Sequence, residues 1–179
     1  MKLNKLERLQ LINQYEILKR LSDNKHDIKE YEHFIKILEE GLESLYSVFL
    51  GGLGEEATKE DYEYTTDVLS FYSDLMSSYK DNGMENDRLK YLIQFKGFDL
   101  NDPLQIPYLK YAEVLMLDLG YYQKLKELCE IEHESDLNSH GAEINKKAMD
   151  RYLYNYKEIK KKRDASGPFT EEEIDQIFS

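Results

Sequence analysis

TKEDYEYTTDVLSFYSDLMSSYKDNG, residues 58–83, carries the pattern on which the fold turns. Tyr62, Thr65, Leu69, Tyr72, Met76 and Tyr79 recur at spacings of three and four, the period of one helix face. Thr58-x-x-Asp61 at its head resembles a capping box with a shortened acid, and Asp81-Asn82-Gly83 supplies a stop. This stretch is therefore a helix with one buried side, and the same grammar repeats in both directions.

Upstream, Leu6, Leu9, Asn13 and Ile17, flanked by Ile12 and Leu21, predict a first helix over about 3–21. A second opens at Asp27, buries Ile28, Tyr31, Ile35 and Leu38, and ends at Gly41, which accepts the left-handed conformation. Leu42–Leu50 reads as a short buried helix or a strand, and Gly51, Gly52 and Gly54 form a hinge. Downstream, a short helix over about 84–95 ends at Gly97, with Phe98 packing back on its last turn. The next begins at Pro107, faces inward with Leu109, Ala112, Met116 and Leu119, and closes at Gly120. Tyr121–Glu132 form another with Leu125, Leu128 and Cys129 inward, and residues 135–141 are a polar loop. Ala142–Arg163 give a long helix with Ile144, Ala148, Tyr152, Tyr156 and Ile159 along one side. Thr170-x-x-Glu173 caps a last short one. The fold class is all-α, multi-helical with seven or eight helices and no core sheet. The 179 residues are expected to make a single domain, with an N-terminal hairpin of about residues 3–50 as a subdomain.

Composition narrows the setting. The formal net charge of −12 opposes long-range attraction to nucleic acid and anionic lipid. One cysteine, Cys129, permits no internal disulfide and no multi-thiolate zinc site, as suits a reducing compartment. No run approaches the roughly 20 apolar residues of a membrane helix, and the N-terminus does not look like a signal peptide. A cytoplasmic location without a membrane partner is expected.

Several segments carry a resemblance. They are Glu7-Arg8-Leu9 with Asn13-Gln14-Tyr15, Gly97-Phe98-Asp99, Tyr108-Leu109-x-Tyr111, His140-Gly141 and Glu173-Ile174-Asp175-Gln176-Ile177. In order and spacing, from about Leu6 to Phe178, the chain resembles the YfbU family of bacterial cytosolic proteins. The resemblance implies a multi-helical, oligomeric protein. It implies no reaction and carries over no catalytic residue. Between Tyr122 and Ser139 the chain looks longer than the family pattern.

Candidate chemistry is sparse. Glu30-x-x-His33 and Glu130-x-x-His133 have the spacing of di-iron bundle ligands. At 100° per residue, however, Glu30 and His33 each lie about 160° from Ile28 or Ile35, on the outer face. His133 follows Cys129 by four residues, which on a helix can pair a thiolate with an imidazole, though a cysteine on a Leu-rich face is usually a small core residue. Hydrolase elbows, phosphate loops and calcium loops are absent, and no cofactor or metal is expected. Lys157–Arg163, after Tyr152, Tyr154 and Tyr156, can bind phosphates, cap its own helix terminus, or dock the acidic Glu55–Asp67 segment of a second subunit. Helix capping is the favoured reading, against nucleic-acid binding. Asn13 and Gln14 inside an apolar helix suggest buried amides that fix helix register, the favoured reading, the alternative being a ligand contact near Tyr15.

These readings lead to a non-enzymatic, self-associating binding or regulatory protein. The alternatives are an enzyme with an acid–base site around Asp99, Tyr111 and His140, or a nucleic-acid adaptor using the basic helix. The small-molecule ligand is left open. Candidate interface or binding residues are Asn13, Gln14, Tyr15, Asp99, Tyr111 and His140.

Overall fold

Asn4 starts the first helix. Its side chain accepts from the backbone N–H groups of Leu6 and Glu7, and the Glu7 carboxylate returns to the Asn4 N–H at 2.7 Å. This reciprocal pairing satisfies donors that no helical carbonyl can reach. The computed structural model describes residues 2–51, 54, 56–163 and 167–179. It contains nine α-helices among these residues, one of them a single turn, and no strand. None of these helices is long and apolar enough to cross a membrane. The chain divides into two compact units, Met1–Glu56 and Ala57–Ser179.

The first unit is a hairpin of α1 (Lys5–Leu21) and α2 (Lys25–Glu40), followed by a 3₁₀ turn at Glu43–Leu45 and the single turn α3 (Ser47–Leu50). The cap of α2 is Asn24 rather than the expected Asp27. Gly41 ends it as expected, at φ +66°. Phe34, Ile35 and Leu38 are buried, and Tyr15, Tyr31, Phe34, Phe49 and Tyr46 form a chain of ring contacts at 5.2–6.2 Å. Within Leu42–Leu50 the helical turns Glu43–Leu45 and Ser47–Leu50 exclude the strand alternative, but neither is the buried helix expected, since Leu42, Leu45 and Val48 are exposed. Of the expected glycine hinge, Gly52 lies outside the described residues.

The second unit is built on α4 (Lys59–Asp81). Thr58 and Asp61 make the capping box expected of them, shortened acid included. Thr65, Val68, Leu69, Phe71, Tyr72, Leu75 and Ser78 of α4 are buried. Around it pack α5 (Asp87–Ile93), α6 (Ile106–Glu113), α7 (Gln123–Leu128) and α8 (Lys146–Lys162), with α9 (Glu171–Ile177) against α8. Phe71 sits at the centre, its ring 5.4 Å from Tyr156 and 5.8 Å from Phe178. The buried Phe169 N–H donates to Ser78 Oγ at 2.8 Å, and Asn82 donates to the Phe169 carbonyl, which ties the C-terminal segment to α4.

Two expectations here need correcting. Gly97 does not close a helix, because α5 already ends at Ile93. Leu119 is exposed rather than inward. The reason is a π-helical turn, Val114–Asp118, that continues α6. The Leu119 N–H donates to the carbonyl of Val114, five residues back. This wider turn takes up an extra residue and rotates Leu119 out of register with the Leu109–Ala112 face.

Candidate functional site

Gly97 and Leu137, forty residues apart, decide the geometry of the best-formed site. At Gly97 φ is +88°, and a Cβ there would stand 2.0 Å from the Leu137 carbonyl oxygen. Glycine alone allows this approach. The Phe98 N–H then donates to the Leu137 carbonyl (2.9 Å), and the Ser139 N–H to the Phe98 carbonyl (3.1 Å), an isolated parallel bridge. The bridge brings Asp99 beside Gly141, whose added Cβ would lie 3.7 Å from Asp99 Oδ2.

Below the bridge is a crevice lined by Tyr64, Tyr72, Phe98, Gln105, Tyr108 and Glu143 among others, with a free volume of about 30 Å³, room for a water or two. The Tyr64 and Tyr108 rings are 4.7 Å apart, and the Lys146 ammonium stands 4.4 Å over the Tyr64 ring. Glu143 accepts from Ser139 Oγ and from Gln105 Nε2. Gln105 Oε1 in turn accepts from the Asp99 N–H. Burial pushes the phenols of Tyr64, Tyr72 and Tyr108 up, so all three are donors at neutral pH. Tyr72 is only 4% exposed, yet its hydroxyl makes no hydrogen bond among the described residues. The crevice offers phenol donors and a carboxylate acceptor to a small polar guest. Sequence reasoning missed Tyr64, Gln105 and Glu143, because the bridge that gathers them has no local pattern.

The expected site residues are dispersed. Asp99 Oδ1 accepts from the Asn101 backbone and side chain, both at 2.9 Å, a local turn. His140 is exposed, at φ +50°, with Nδ1 3.3 Å from the Asn138 amide. Asp99 and His140 thus share a loop cluster without bonding each other. Tyr111 is elsewhere: its hydroxyl donates to the Ala57 and Thr58 carbonyls at the start of α4, and its ring meets Tyr62.

Asn13 and Gln14 are exposed, so they are not the buried amides expected. The face of α1 turned to α2 carries Arg8, Leu11, Ile12 and Tyr15, all half-buried. Arg8 Nη1 donates to the Leu38 carbonyl at 3.0 Å. Burial, and then the charge of Glu30, raise the Tyr15 phenol. The stripe Leu6–Leu9–Asn13–Ile17–Leu21 lies on the opposite side, with Leu6 64% and Leu21 75% exposed.

Three cations of the basic segment are closely paired within the chain. Lys157 bonds Asp67, Lys160 bonds Asp74 at 2.7 Å and the Tyr156 hydroxyl at 2.8 Å, and Arg163 bonds Glu173 and the Gly167 and Pro168 carbonyls. Asp67, at the end of the acidic segment, is thus bonded by Lys157 of its own chain, and Glu55 lies outside the described residues. Glu30 and His33 are exposed, as the angular reading expects. Glu130 adopts φ +54° after α7 ends at Leu128, so Glu130, Cys129 and His133 do not share a helix. Cys129 Sγ instead lies 3.3 Å from Met76 Sδ. Among the described residues no group of three or more His, Cys, Asp or Glu side chains is arranged to hold a metal.

Comparison with known proteins agrees with the motifs. The chain is 38% identical over 121 residues to UPF0304 protein MJECS11 of Methanocaldococcus jannaschii, spanning 65% of this chain and 67% of that protein. No solved structure matches it. The family model of the YfbU domain matches residues 1–179. From its first motif to its last, then, the chain belongs to the YfbU family.

Proposed function

We propose that the protein is a non-catalytic, cytoplasmic binding protein that associates with copies of itself through its N-terminal hairpin. One observation carries this reading. α1 buries no residue completely, and it leaves Leu6, Leu9, Ile17, Leu18 and Leu21 exposed. Monomeric proteins seldom leave a contiguous apolar strip of this kind in water. Among its described residues the Met1–Glu56 unit buries Phe34, Ile35, Leu38 and Tyr46, a small core for its length.

Two further features support a binding role. Asp99, His140 and Tyr111 each serve separate local hydrogen bonds, which weighs against concerted acid–base work. The pairing of Lys157, Lys160 and Arg163 with carboxylates weighs against a phosphate-binding stripe. The single cysteine supports the cytoplasmic placement.

Gel filtration coupled to light scattering tests the proposal. The expected mass is that of two or more chains at micromolar concentration. Leu9→Asp combined with Ile17→Asp should reduce it to one chain without loss of helical circular dichroism. A single-chain mass for the unaltered protein would overturn the reading.

A further inference from the structure

We infer that two copies pair through α1 in antiparallel fashion, about a two-fold axis that passes beside Asn13. The inference rests on the self-association reading and adds the partner's identity, direction and register.

Asn13 is the middle residue of the seventeen in α1, Lys5–Leu21. Around it Leu9 and Ile17 stand four residues to either side; seven residues away stand Leu6 on one side and Arg20 on the other, with Leu21 one residue further along. A two-fold interface uses the same patch on both subunits, so a patch that reads alike in both directions suits it. In this register Leu9 faces Ile17 of the partner subunit, Leu6 lies near Leu21 of the partner subunit, and the pairing spans the full helix. The antiparallel sense also sets opposite helix dipoles side by side.

The polar centre fits the same axis. A carboxamide carries both donor and acceptor, so Asn13 can exchange hydrogen bonds with its own copy. Gln10 and Arg20 share this face with the leucines, and an amide that meets its own copy among them fixes register, because a slip leaves it facing a methyl group. The stripe contains no carboxylate, although the chain carries a net charge of −12. Two copies can therefore approach here without acidic repulsion. The four apolar side chains of the stripe present on the order of 450 Å², within the range a monomer leaves in its largest patch. That is over half of the ~800 Å² one partner of a standard interface buries.

Cysteine cross-linking distinguishes this arrangement from its rivals. Asn13→Cys should convert most of the protein to a disulfide-linked dimer under mild oxidation. Leu9→Cys mixed with Ile17→Cys should give the mixed dimer. Leu9→Cys alone should not, since at 1.5 Å per residue its two copies sit about 12 Å apart along the seam, beyond disulfide reach. All three positions are exposed, so folding is retained, and the unaltered chain with its half-buried Cys129 is the control. Ready cross-linking of Leu9→Cys to itself would mean parallel pairing and overturn the inference. An oligomer by light scattering whose Asn13→Cys form does not cross-link would overturn the register while leaving self-association standing. A monomer would sink both.

Discussion

Two glycines with similar backbone angles separate strain from contact at the scale of one residue. Gly83, at φ +60°, has open space where a Cβ would go, whereas at Gly97 the Cβ would meet the Leu137 carbonyl oxygen at 2.0 Å. Gly83→Ala should cost about 1–2 kcal/mol, the left-handed penalty alone. Gly97→Ala adds a clash with backbone that cannot swing aside, so its cost should exceed about 3 kcal/mol. Urea unfolding of the two variants checks the difference, as a larger drop in midpoint for Gly97→Ala. In the sequence Gly97 stands out through its neighbours Phe98 and Asp99, but as a helix stop. Its real partner is forty positions away, and no local spacing announces a contact at that range.

Helix ends proved legible because their chemistry spans only four residues. Thr58–Asp61 and Thr170–Glu173 both form the reciprocal hydrogen bonds their spacing suggests. Thr58→Ala should destabilise the protein by about 1 kcal/mol, and Thr58→Ser much less, as read by thermal unfolding. Helix faces were less legible. α1 has apolar residues on two sides, and periodicity alone cannot say which side meets α2. Leu11, Ile12 and Tyr15 take that place, joined by Arg8, whose guanidinium reaches the last carbonyls of α2. The π-turn at Val114–Asp118 was invisible for a related reason: one extra residue in a turn leaves no signature in a three-and-four pattern.

Across the whole molecule, the all-α class was readable from many independent helices, whereas the crevice was not, since it is assembled from α4, α6, α8 and the loops between them. The buried tyrosines of the second unit give it a defined alkaline limit. Burial, with the hydrogen bond to Asp74 next in size, pushes the Tyr156 phenol up to about 12, and burial raises Tyr64 and Tyr72 as well. A phenol in the unfolded chain ionises near pH ~10, so above that pH the folded state holds more protons than the unfolded one. Stability is then complete below about pH 10 and falls as pH rises through the folded values, by on the order of 2 kcal/mol for Tyr156 alone. Urea midpoints measured from neutral pH to pH ~12 should stay level and then drop, in step with the appearance of tyrosinate absorbance. Cys129, set against Met76, extends the same logic to reactivity. Burial pushes its thiol up to about 11, so at neutral pH it holds roughly a hundredfold less thiolate than a free cysteine. Alkylation of the folded chain should therefore be roughly a hundredfold slower than in urea. What labelling remains would have two sources, the little thiolate that the half-buried sulfur holds in the folded chain and the moments when α7 lifts away from α4.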